Sequence, residues 1–93
     1  MDDSVIARID QMRESANNIG NSANKIRDAV QSTDNEVRAL GEDRYMSPGA
    51  TAFRTQYFRL TPRLNQAAEE LLKFQAKLIE ASDEIERAAG SLS

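Results

Sequence analysis

The chain has 93 residues, a formal net charge of −3, and neither cysteine nor histidine. The missing residue types exclude disulfides and thiolate chemistry, and they remove the commonest metal ligand and the commonest general base. The length permits one domain at most, and the acidic balance argues against nonspecific binding to nucleic acid or to anionic lipid.

The first residues, Met1 to Ser4, are acidic where a secretory signal peptide is basic, and no apolar segment of the signal-peptide kind follows them. No stretch approaches the roughly 18 consecutive apolar residues that indicate a membrane span. If the protein leaves the cell, we expect it to do so without a cleaved signal peptide.

Residues 4–40 predict the first helix. Apolar residues recur from Val5 to Leu40 at alternating steps of four and three, with only Thr33 polar, which is typical of a helix with one buried face. Ser4, or Asp3 before it, is the expected N-cap.

The middle of this helix has low helix propensity, and Gly20 alone costs about 1 kcal/mol relative to alanine. Packing must therefore hold it. The buried face is small there, at Ala16 and Ala23. This indicates either a thin waist in the core or a contact surface for a second chain.

Residues 41–47 interrupt the pattern and predict a turn. Gly41 stands where a left-handed residue ends a helix, and Ser47-Pro48 is typical of an N-cap followed by proline at the first helical position. A connector this short forces the flanking helices to lie antiparallel.

Residues 48–89 predict the second helix, and Pro62 predicts a bend in it rather than a break. Its main apolar stripe has a period of 3.5 residues and is expected to face the first helix, with gentle left-handed supercoiling. The stripe consists of Ala50, Phe53, Tyr57, Leu60, Leu64, Ala67, Leu71, Phe74, Leu78, Ala81, Ile85, Ala88 and Leu92.

A second apolar stripe adjoins the first on Ala68, Leu72, Ala76 and Ile79. A hairpin buries only one stripe per helix, so the wider apolar surface predicts a dimer interface at these four residues. The expected fold is an all-α antiparallel hairpin that dimerises, with itself or with a related hairpin, into a four-helix bundle. The alternative is that a long helix carries scattered apolar residues.

No group of side chains predicts an active site. Carboxylate pairs such as Glu69-Glu70 have no neighbouring histidine or cysteine to shift their pKa, and Gly41 and Gly49 do not form a phosphate-binding loop. We therefore predict a non-enzymatic protein with no catalytic residues, metal, cofactor or small-molecule substrate.

The segment from Tyr45 to Arg54 resembles the WxG family of small bacterial type VII (Esx-type) secretion substrates. In that family a Trp-x-Gly turn joins two helices, and an aromatic residue preceded by alanine follows shortly afterwards. Ala52-Phe53 matches the later feature, whereas Tyr45 and Ser47 stand in the positions of the Trp and the Gly. The resemblance assigns the turn and its packing to Tyr45, Ser47, Gly49 and Phe53.

The resemblance also implies that a type VII machine, with its secretion ATPase as a partner, exports the chain as a folded dimer. The protein would be cytoplasmic before export and would act outside the cell as an effector, chaperone or structural partner. The family's export motif, Tyr-x-x-x-Asp/Glu, is missing, because neither Tyr45 nor Tyr57 has an acid four residues later; this favours a co-exported partner. The alternatives are a cytoplasmic adaptor or chaperone unrelated to secretion, and a membrane-surface amphipathic helix, which the acidic balance disfavours.

Overall fold

The computed structural model describes residues 2–42 and 47–91. In this part of the chain, two helices account for almost every residue: α1 spans Asp3–Glu42 and α2 spans Pro48–Ser91. The all-α architecture predicted from the sequence is therefore present.

The two helices run antiparallel. Arg13 of α1 contacts Asp83 of α2 towards one end of the molecule, and Asp34 contacts Tyr57 towards the other. The hairpin measures 69 × 15 × 14 Å, with a radius of gyration of 20.8 Å, whereas a compact domain of this length has roughly 12 Å. The molecule is therefore a thin rod with little interior.

The N-terminal cap of α1 lies one residue earlier than expected. Asp2 accepts a hydrogen bond from the backbone N–H of Ser4 at 3.1 Å and another from the Ser4 hydroxyl at 2.9 Å, and these bonds lower the pKa of the Asp2 carboxyl. At the other end, α1 continues through Gly41. The expectation that Gly41 ends the helix was wrong, because one glycine near a terminus costs too little to stop a helix.

The start of α2 follows the predicted chemistry. The Ser47 hydroxyl accepts a hydrogen bond from the backbone N–H of Ala50 at 3.0 Å, and helical geometry begins at Pro48. The proline suits this place because its missing N–H would have no partner in the first turn. Pro62 lies inside α2, which passes through it as one helix.

The seam between the helices is built on small side chains. On α1 it consists of residues spaced by seven along the helix, all nearly inaccessible to solvent: Ile9, Ala16, Ala23, Val30 and Val37. On α2 the most buried residues are Thr61, Ala68 and Ser82, with half-buried Gln75 at the intervening position of the same spacing. Small facing residues allow the helix axes to approach closely.

This seam corrects the predicted face of α2. Phe53, Leu60 and Phe74 were expected to pack against α1, yet they are 52%, 49% and 58% exposed. The contact uses the row of residues one position later, at Thr61, Ala68 and Ser82. The physical reason is size, since the narrow α1 surface around Ala16 and Ala23 accommodates small partners better than aromatic ones.

Gly20 gives a direct test of how tight this seam is. A Cβ added to Gly20 would overlap the side-chain amide of Gln75, which opposes the gain of about 1 kcal/mol that alanine brings to a helix interior. We expect Gly20→Ala to raise the unfolding free energy by about 1 kcal/mol in a Gln75→Ala background and by clearly less in the wild type. Urea denaturation of the four proteins measures this; equal gains in both backgrounds would contradict it.

Candidate partner-binding face

One side of α2 presents a row of apolar residues to solvent along its whole length. We call these residues the outer row: Phe53, Leu60, Ala67, Phe74, Ala81 and Ala88. The three large members are about half exposed, and their spacing of seven keeps them on one helix face. Monomeric soluble proteins rarely expose a continuous apolar patch of this extent, so the outer row is a candidate interface.

The apolar face continues across the groove onto α1. Ile26, Val30 and Thr33 of α1 line a surface hollow of about 280 Å³ together with Tyr57 and Leu64 of α2; Ala29 completes its lining. The hollow opens beside the outer row at the level of Leu60, and almost all of its lining is apolar. Its chemistry suits a large apolar side chain.

Two further concavities lie on the same side of the rod. Leu40, Ala50, Phe53 and Arg54 surround one near the turn. The other lies towards the chain ends, where Met12 and Leu78 approach each other among the polar residues Arg8, Gln11 and Ser15. The groove between the helices is thus incompletely filled from end to end.

The total exposed area points the same way. The hairpin exposes 7016 Å², whereas a compact monomer of 10.3 kDa exposes roughly 5,400 Å². The surplus of about 1,600 Å² is twice the area of about 800 Å² that each partner contributes to a standard interface. One apolar face of this rod can therefore supply a stable interface.

The opposite flank of α2 is more polar and carries charged contacts from α1. It consists of Phe58, Asn65, Leu72, Ile79 and Glu86, again spaced by seven. The Arg38 guanidinium lies over the Phe58 ring, 5.2 Å from its centroid, and Arg13 binds Glu86 at 2.9 Å and Asp83 at 3.0 Å. These ion pairs are half exposed, so each contributes at most about 1 kcal/mol.

The predicted dimer residues separate onto different surfaces. Ala68 is 0% exposed inside the α1–α2 seam, so assigning it to a partner surface was wrong: no area remains on it for a second chain. Leu72 is half-buried, Ile79 is 39% exposed, and Ala76 is exposed beside them. These three residues stay a predicted interface on the opposite flank.

The predicted turn residues are also separated. Tyr45 lies outside the described residues. Ser47 caps α2 through its hydroxyl, and the nearest atom to a Cβ added at Gly49 would be the Ser47 hydroxyl oxygen at 4.0 Å, so no steric contact requires glycine there. Phe53 borders the hollow near the turn instead of being enclosed.

Tyr57 is the polar residue most integrated into this face. Its hydroxyl donates a hydrogen bond to Asp34 Oδ1 at 2.8 Å and lies 3.3 Å from the carbonyl oxygen of Val30. Partial burial raises the pKa of the Tyr57 hydroxyl, and the hydrogen bond to Asp34 raises it further. The side chain thus closes one end of the hollow and ties α2 to α1.

The raised pKa of Tyr57 predicts an alkaline limit on stability. Because the folded pKa exceeds the unfolded value of about 10, its stabilisation is complete below that pH and is lost as the pH rises through the folded pKa. We expect the urea midpoint to fall less between pH 8 and pH 11 in Tyr57→Phe than in the parent, both in a Tyr45→Phe background. Absorbance at the tyrosinate band follows the single remaining tyrosine of the parent, and equal losses in both proteins would contradict the prediction.

Sequence reasoning missed the hollow and the exposure of the outer row. The available signal was side-chain size, since the row at Thr61, Ala68 and Ser82 is uniformly small whereas the outer row contains Phe53 and Phe74. Within residues 2–42 and 47–91, no cluster of three or more acidic residues is placed to hold a metal ion. Neither described helix contains a stretch long and apolar enough to cross a membrane.

A family model described as "Proteins of 100 residues with WXG" (WXG100) matches residues 5–89, which is nearly the whole chain. Comparisons with curated proteins and with solved structures give no match. WXG100 proteins are small helical proteins that type VII secretion systems export, and they typically form dimers with related helical proteins. The match spans both helices and the turn between them, so the chain belongs to the WXG100 family of type VII secretion.

Proposed function

We propose that this chain is a non-enzymatic type VII export substrate that leaves the cell as a folded dimer of hairpins, without a cleaved signal peptide. Outside the cell it acts as an effector or chaperone partner through protein contacts. The observation that carries the proposal is the outer row, because it leaves apolar side chains in water along one full side of the rod.

Energetics support a partner on that face. Burying a leucine or phenylalanine side chain contributes about 1.5–3 kcal/mol relative to leaving it exposed. Phe53, Leu60 and Phe74 are only half buried in the single hairpin, and each would gain part of that energy on both sides of a dimer. Two hairpins packed along this face form a four-helix bundle.

The shape supports export in the folded state. The single hairpin is 15 × 14 Å in cross-section over its 69 Å length, so a bundle of two hairpins remains a narrow rod that can pass through a pore lengthwise. The family's Tyr-x-x-x-Asp/Glu motif does not follow either tyrosine. We therefore propose that the secretion ATPase recognises a partner that is exported with this chain.

The test is export from the native host with and without its type VII ATPase. We expect the intact 93-residue chain in the culture medium of the wild type, identified by its unprocessed mass, and its retention in cells that lack the ATPase. A cytoplasmic control protein reports lysis. Equal amounts in both media, or a chain confined to the cytoplasm of both strains, would contradict the proposal and favour a cytoplasmic adaptor.

A further inference from the structure

We propose that the partner seated on the outer row is a second copy of this chain, antiparallel to the first and related to it by a two-fold axis that crosses α2 at Ala67. This inference rests on the proposed function, because it takes the outer row as the dimer interface. It adds the identity of the partner and the register of the two copies.

The charge along α2 is the first reason. Residues 48–67 carry three arginines and no acid, whereas residues 68–91 carry six acids and three bases, a net charge of −3. In an antiparallel pair of identical α2 helices, the basic half of each copy lies beside the acidic half of the other. A parallel pair would place like charges together along the whole interface, which costs binding energy.

The spacing of the outer row is the second reason. Leu60 and Phe74 lie seven residues on either side of Ala67, or about 10 Å along the helix, and Phe53 and Ala81 lie fourteen residues away. A two-fold axis at Ala67 therefore sets Leu60 against Phe74 and Phe53 against Ala81 of the second copy. Such an interface is isologous, and its smallest residue lies on the axis, where the helices approach most closely.

The hollow is the third reason. Tyr57 and Leu64 line it on either side of Leu60, so this register brings Phe74 of the second copy to its mouth. At 58% exposure, Phe74 is the most exposed large apolar side chain among the described residues with that distinction. A ring entering the hollow would contact Ile26 and Val30 from α1, and the symmetry repeats this contact.

The charged border of the outer row fits the same axis. Arg63 lies four residues before Ala67 and Glu70 lies three residues after it, on the same side of the helix. The antiparallel register therefore sets Arg63 of each copy near Glu70 of the other. Border pairs of this kind fix orientation and register more than they add affinity.

Charge reversal tests the register on the full chain. Arg63→Glu and Glu70→Arg should each raise the dimer dissociation constant about tenfold, because each change replaces two attractive pairs with two repulsive ones. The double variant should recover the wild-type value. Analytical ultracentrifugation measures all four proteins, and a double variant no better than the single variants would overturn the register.

Cysteine crosslinking tests the axis independently, since the chain contains no native cysteine. Ala67→Cys should yield a covalent dimer with a short bis-maleimide, whereas Ala76→Cys, an exposed alanine on the opposite flank, should not. Crosslinking at Ala76 in preference to Ala67 would overturn the axis.

Mass measurement separates this inference from the proposed function. A wild-type chain that is monomeric alone but doubles in mass with a co-expressed related hairpin would overturn self-pairing and support the proposed function. A monomer under both conditions would contradict both. Self-pairing also leaves each copy without the Tyr-x-x-x-Asp/Glu motif, so a homodimer that is exported would carry its signal on a further chain.

Discussion

Phe74→Glu is expected to convert the protein from a dimer into single hairpins. The side chain is more than half exposed on the isolated rod, and it would be covered twice in a two-fold dimer. Losing two buried phenylalanines at about 1.5–3 kcal/mol each, and placing two carboxylates in the interface, should weaken dimerisation by roughly a thousandfold or more. Light scattering coupled to gel filtration measures the change as a halved mass.

Ile79→Glu is the matched control for Phe74→Glu. Ile79 is also an exposed apolar residue of α2, at 39%, and the substitution adds the same charge on the opposite flank. We expect this variant to keep the mass of two chains. If Ile79→Glu gives single chains while Phe74→Glu does not, the interface lies on the flank of Leu72, Ala76 and Ile79 that the sequence pattern favoured.

The two helices could be predicted because their signals are local and strong. Ser47-Pro48 marks the start of α2 through a hydroxyl cap and a proline without a needed N–H. The apolar repeat of α1 also identifies its seam correctly at Ile9, Ala16 and Val30. Only one apolar stripe exists on that helix, so periodicity leaves no choice of face.

The seam of α2 could not be predicted in the same way, because two apolar rows compete on that helix. A pattern of apolar and polar residues ranks Phe74 above Ser82, yet Ser82 is fully buried and Phe74 is not. The Ser82 hydroxyl donates to the backbone carbonyl of Ile79 at 2.7 Å, so its polarity is satisfied within the helix and burial costs little. Complementarity of size between two surfaces then decides the face, and sequence periodicity carries no measure of it.

The candidate site depends on this choice of face. Rotating α2 by one residue moves Phe53, Leu60 and Phe74 from the seam to the solvent, and it opens a hollow between Tyr57 and Ile26. That hollow requires the relative register of the two helices, which local sequence does not encode. The sequence therefore indicates that a partner is needed, whereas the structure is required to locate the surface that receives it.

Adjacent alanines provide the sharpest test of this arrangement. Ala68→Glu should destabilise the hairpin itself by roughly 3 kcal/mol or more, because it forces a carboxylate into a seam where the alanine has no exposed surface. We expect loss of the helical circular dichroism signal at all protein concentrations, since no association can compensate for a seam that does not close.

Ala67→Glu, one residue earlier, should behave differently although alanine is replaced by the same residue in the same helix. Ala67 is exposed on the outer row, so the helices should still pair within one chain while the dimer dissociates. The melting temperature should then be lower than that of the wild type and independent of protein concentration. If Ala67→Glu unfolds the chain and Ala68→Glu only removes the concentration dependence, α2 faces α1 through Phe53, Leu60 and Phe74, and the outer row is the core of the hairpin.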